Sequence, residues 1–67
     1  MEIVDRHSNV EQRNRVIAMA GKMFAEQGIR KVRMDDVAAA LSMSKRTLYE
    51  MFADKEELLY NCVKYMS

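Results

Sequence analysis

Apolar residues recur at three- and four-residue steps along almost the whole of this chain, and no proline interrupts them. That spacing lays a stripe down one side of an α-helix and does not fit the two-residue alternation of a half-buried strand. With only two glycines, and with Ala, Met, Leu, Glu, Lys and Arg abundant, the pattern predicts an all-α fold. Sixty-seven residues give one small domain with a limited core. Such a domain needs close helix packing, a covalent staple or a partner. Cys62 is the only cysteine, which excludes an internal disulfide and a four-thiolate zinc site. A buried thiol in a reducing cytosol is its plain reading.

The stripes divide the chain into four helical segments. Residues 1–7 are aperiodic and read as a mobile N-terminal arm. Ser8 and Glu11 match a capping box, so a helix is expected from there to about Gln27, with Val16, Ile17, Ala20, Met23 and Phe24 facing inward. Gly28 then supplies a left-handed stop. Gly21 lies inside this helix at a cost of roughly 1 kcal/mol against Ala. Close approach of another helix and a tolerated imperfection account for it equally well.

A short basic connector, residues 29–33, leads to a second helix over about Met34–Leu41, whose inward positions are Met34, Val37, Ala38 and Leu41. Asp35 and Asp36 occupy its first turn, where the helix dipole favours acids. Ser42 and Met43 make a turn, and Ser44 caps a third helix ending near Phe52, with Leu48, Met51 and Phe52 on its core face. Asp54 with Glu57 forms a second capping box and opens a fourth helix through about Met66. Its apolar positions are Leu58, Leu59, Cys62, Val63 and Met66. No stop signal closes that stripe before Ser67, so the sequence reads as cut within a helix of a larger protein.

Two short helices joined by so tight a turn must cross steeply, and a small residue is needed where they touch. Ala38 meets that need, Ser42 occupies the turn and Leu48 closes the small core. At about 100° per residue, Leu48 and Phe52 point inward while Arg46, Glu50 and Ala53 point away, with Thr47 and Tyr49 on the flanks. Arg46 can offer a bidentate fork to guanine, and Glu50 can accept from cytosine or shape specificity by repulsion. Lys45, Thr47, Tyr49 and Lys55 suit phosphate oxygens. Arg46 and Glu50, four residues apart, can also pair with each other when DNA is absent, an exposed pair being worth about 0.3–0.5 kcal/mol.

Charge agrees with a local nucleic-acid surface and not a general one. The net charge is only +1, yet Arg30, Lys31, Arg33, Lys45 and Arg46 cluster, interrupted only by Asp35 and Asp36. No apolar run has membrane-spanning length and no signal-peptide pattern opens the chain, so a soluble cytoplasmic protein, or a fragment of one, is expected. Nothing supplies a nucleophile, a base and an orienting group together, so no enzyme activity is expected. The seven methionines read as core filler and His7 has no ligand partners at useful spacing. No cofactor or metal site is therefore expected.

The stretch from Val16 to Leu59 resembles the N-terminal DNA-binding domain of TetR-family transcriptional regulators. The resemblance rests on Phe24, Gly28, Val37 and Ala38, and on the run S-K-x-T-L-Y-x-x-F-x-x-K-E that begins at Ser44. It implies a homodimeric, repressor-like regulator whose first three helices bind a double-stranded DNA operator. A larger all-helical C-terminal domain would dimerise and bind a small-molecule effector. It also implies that Thr47, Tyr49 and Lys55 touch the phosphate backbone, that Lys45 and Arg46 reach into the major groove, and that Arg33 meets phosphate at the opening of the second helix.

Five positions depart from the family pattern. Arg33 stands where Thr or Ser usually caps, Ser42 where the turn usually has Gly, and Arg46 where Gly is common. Met51 replaces a usual His or aromatic, and Glu50 adds a negative charge to the groove face.

The expected architecture is thus a three-helix, homeodomain-like helix-turn-helix bundle over residues 8–54. Residues 55–67 begin a helix linking to an effector-binding and dimerisation domain. The expected DNA contacts are Arg33, Met43, Ser44, Lys45, Arg46, Thr47, Tyr49, Glu50 and Lys55. A rival reading is a small helical protein-interaction module that uses the Leu58–Met66 stripe.

Overall fold

The computed structural model describes the backbone of residues 2–66 and the side chains of residues 10–65. Over that range the chain forms α1 (Glu2–Gln27), α2 (Met34–Ala40), α3 (Lys45–Met51) and α4 (Lys55–Met66). The all-α bundle matches the periodicity.

The start of α1 corrects the sequence reading. Residues 2–7 are helical where an irregular start is expected, and Ser8 lies inside the helix, not at its cap. Met1 and the Ser8 side chain lie outside the described residues. The physical reason is that residues 2–10 contain neither Gly nor Pro. Once the packed part of α1 exists, each residue added toward the N-terminus gains a hydrogen bond without a new nucleation cost.

The helix ends are made as their residues dictate. Gly28 adopts φ 94°, and its N–H donates to the Phe24 carbonyl at 3.0 Å. Arg33 is extended at the α2 N-cap, but a guanidinium has no acceptor with which to cap. The cap is instead one-sided: the Arg33 N–H donates to Asp36 Oδ2 at 3.0 Å. At α4, Asp54 Oδ1 accepts from the Glu57 N–H at 2.9 Å. The reciprocal bond of this box shifts by one residue, Glu57 Oε1 accepting from the Ala53 N–H at 2.7 Å.

The α2–α3 turn closes as a Schellman motif. The Met43 N–H donates to the Ala38 carbonyl at 2.9 Å and the Ser42 N–H to the Ala39 carbonyl at 3.1 Å. The motif needs a left-handed residue, and Ser42 supplies it at φ 54°. A side chain in that region costs roughly 1–2 kcal/mol that glycine would avoid.

One apolar core joins all four helices. Val16, Ala20, Val37, Leu48, Phe52 and Leu58 are fully buried, and Ile17, Phe24, Met34, Ala38 and Cys62 nearly so. Val32 is also fully buried, although the sequence places it alone in a basic connector without periodicity. The chain leaves the helix at Phe52 (φ −134°, ψ 122°), so Ala53 falls in a bend and not on the outward face of α3. Leu58 and Cys62 pack into the same core as α1, so residues 55–65 are not set apart from the bundle. The Leu58–Met66 stripe is thereby split. Leu58 and Cys62 are buried and Leu59 half-buried, Val63 is 58% exposed, and the Met66 side chain lies outside the described residues.

Two side chains tie the helices together, and one of them, Arg13, reaches α3. The Arg13 guanidinium donates to the Met51 carbonyl at 3.3 Å and to Asn61 Oδ1 at 3.4 Å. It also sits over the Phe52 ring, 4.6 Å from the centroid. It thus satisfies an open carbonyl at the α3 C-terminus, where a cation is favoured, and ties α1, α3 and α4 together. Between α1 and α4, the Cys62 thiol donates to the Ile17 carbonyl at 3.5 Å. Burial pushes that thiol above its ordinary pKa.

Candidate nucleic-acid interface

The site is built at the start of α3. Ser44 is extended at the N-cap, and its Oγ accepts from the Thr47 N–H at 3.1 Å. The same Oγ donates to Thr47 Oγ1 at 2.9 Å. The Thr47 hydroxyl accepts in this pair, so its own proton is left for another acceptor, which is the polarity a phosphate oxygen requires.

The charged residues around this cap are paired. Arg46 Nε lies 3.4 Å from Glu50 Oε2, with the Arg46 side chain 89% exposed, as their spacing on one face predicts. Lys45 Nζ lies 3.6 Å from Asp35 Oδ1 and so links the starts of α3 and α2. Asp35 therefore does more than complement the dipole of its own helix.

The remaining expected contacts are distributed around these pairs. Arg33 is exposed at the N-cap of α2. Met43 packs partly into the core, which leaves less of its thioether to meet a base. Tyr49 is 46% exposed on the flank of α3. Lys55 is half-buried at the start of α4.

Sequence reasoning passed over α1 as a wall of this site. Gln12 and Arg15 line a groove of about 300 Å³ with Ser42, Met43, Ser44 and Thr47. Gln12 and Arg13 also border Thr47, Glu50 and Met51. Arg13 precedes Val16 by three residues, beside the apolar stripe, and that flank position is the only sequence signal for it. Among the described residues, no cluster of three or more His, Cys, Asp or Glu could hold a metal ion. None of the described helices is long and apolar enough to cross a membrane.

A pair of short helices joined by a tight turn on a supporting bundle, with cations and hydroxyls at the exposed start of the second, defines the helix-turn-helix class of regulators. Comparison with known proteins gives the family. The chain belongs to the tetR family of bacterial regulatory proteins, whose family model matches residues 16–62. Residues 16–62 are therefore a domain of the regulatory kind.

Among curated relatives, the HTH-type transcriptional regulator SAB2452 of Staphylococcus aureus (strain bovine RF122 / ET3-1) is 32% identical over 59 residues, covering 88% of this chain and 32% of the relative. The HTH-type transcriptional regulator SAUSA300_2515 of S. aureus (strain USA300) is 35% identical over 54 residues, covering 81% of this chain and 29% of the relative. The ketosteroid transcriptional regulator KstR2 of Mycobacterium tuberculosis has a similar solved structure, with a TM-score of 0.69 and 36% identity. The match covers 70% of this chain and 24% of that one. The chain thus spans about a third of the length of the curated relatives it matches.

Proposed function

We propose that this chain is the DNA-binding head of a cytoplasmic transcriptional repressor that docks α3 in the major groove of its operator. The observation that carries this reading is the exposed Arg46–Glu50 face of α3, set beside a Ser44–Thr47 cap in which the Thr47 hydroxyl accepts from Ser44 and keeps its own proton for another acceptor. Arg46 reads guanine, Lys45 reaches a base edge or phosphate, and Glu50 excludes sequences that present an acceptor to it. Arg33, Ser44, Thr47, Tyr49 and Lys55 hold the backbone, and the exposed part of Met43 touches a base methyl.

Function as a repressor follows the family's usual logic, in which two heads are held at half-sites about 34 Å apart or a multiple of that. A further all-helical domain of the kind the longer relatives have room for would supply the homodimer contact and the small-molecule effector site. In that arrangement residues 8–54, with the packed Leu58 and Cys62 of α4, form the reading unit, and the exposed end of α4 leads toward the further domain.

A duplex titration at two salt concentrations tests the reading. Affinity is expected to fall steeply with salt, with a log–log slope near −0.9 for each phosphate neutralised. Arg46→Ala should relax preference at one position of each half-site by roughly 1–3 kcal/mol. Salt-independent binding by the dimer, or none, refutes DNA recognition. An equal loss across all base variants would reassign Arg46 to phosphate.

A further inference from the structure

We infer that Arg15, on α1 and outside the helix-turn-helix, is a phosphate anchor that carries the DNA footprint onto the first helix. The inference rests on the DNA-binding reading above and extends it to a residue no part of that reading uses.

Three observations point to Arg15. It is exposed, and it lines the groove whose opposite wall is made by Ser42, Met43, Ser44 and Thr47. That wall includes Thr47, whose hydroxyl keeps a proton for an outside acceptor. A guanidinium and a hydroxyl donor facing one open groove make a site for an acceptor-only group, and a phosphodiester is the acceptor that duplex DNA presents there.

The third observation is electrostatic. The two cations at the start of α3 already have carboxylate partners, Lys45 with Asp35 and Arg46 with Glu50. Among the described residues Arg15 has no such partner. A phosphate reaching Lys45 or Arg46 must first displace an acid, whereas Arg15 meets it without that exchange. Gln12, one turn earlier on the same wall, supplies an amide donor to the same strand.

The chemistry would also suit a free oxyanion, so the experiment separates the two sources. Binding of the wild-type protein, Arg15→Gln and Arg15→Lys to a mixed-sequence duplex is measured by fluorescence anisotropy across a chloride series. A parallel series uses inorganic phosphate at matched ionic strength. Arg15→Gln is expected to reduce the salt slope by about 0.9, so that between about 50 and 200 mM salt it loses roughly three- to fourfold less affinity than wild type. Arg15→Lys should keep the wild-type slope. Inorganic phosphate should compete no better than chloride.

An unchanged slope in Arg15→Gln, with wild type still binding in a salt-dependent manner, overturns the anchor and leaves the DNA reading intact. Specific competition by inorganic phosphate also overturns it, in favour of a free-anion site. If wild type shows no salt-dependent binding, both readings fall. Circular dichroism of the variants guards the comparison, and a folded Arg15→Lys with a slope as low as that of Arg15→Gln also counts against a phosphate contact.

Discussion

At the scale of single residues, the turn shows most clearly how geometry overrules composition. The Schellman bonds from Ser42 and Met43 require a left-handed residue, and serine accepts φ 54° there although its Cβ opposes it. Ser42→Gly should therefore stabilise the fold by about 0.5–1 kcal/mol, the relief of strain being partly offset by the greater freedom of glycine in the unfolded chain. A thermal melt checks this, and a lowered midpoint would mean that the Ser42 side chain contributes something beyond the turn. The sequence hints at positive φ only through the Gly that the family pattern usually has at this turn position. The burial of Val32 cannot be read from it, because a lone apolar residue among Arg30, Lys31 and Arg33 has no periodic neighbour to declare its side. The triple contact of Arg13 is equally silent, since its partners lie 38 and 48 residues away.

At the scale of elements, the α1–α4 crossing resolves the question posed by Gly21. A Cβ at Gly21 would stand 4.0 Å from Cys62 Cβ and Sγ, an ordinary van der Waals contact that neither clashes nor leaves a void. Gly21→Ala is expected to stabilise the chain by roughly 0.5–1 kcal/mol through helix propensity. That corresponds to a rise of a few degrees in melting midpoint, at about 4–8 °C per kcal/mol for a domain of this size. A fall would show that the helices need to come closer than they stand. The helices themselves were legible because each buries one stripe, and Val16, Val37, Leu48 and Leu58 all lie where the 3.6-residue period puts them. The beginning of α1 was not, because a capping box at Ser8 marks a permitted start and not a required one. Within the site, α3 and its cap were legible from spacing. The contribution of α1 was not, since it depends on how a distant helix lies across the turn.

At the scale of the whole molecule, stability should depend on alkaline pH through one buried thiol. The folded state holds Cys62 above the ordinary thiol value of 9.0 because burial disfavours the thiolate. Below that value both states keep the proton and the contribution is complete. As pH rises through it the unfolded chain loses the proton first, so stability declines until the folded value is passed. Urea midpoints at about pH 8 and about pH 10 should therefore fall further for wild type than for Cys62→Ala, and equal falls would remove the thiol from the account. The pairing of Lys45 with Asp35 and of Arg46 with Glu50 has a kinetic consequence as well. On the proposed reading, docking exchanges these carboxylates for DNA, and at about 0.3–0.5 kcal/mol for an exposed pair each exchange shortens a contact with arbitrary sequence only slightly. A site that replaces both internal partners would hold the head somewhat longer than one that replaces neither.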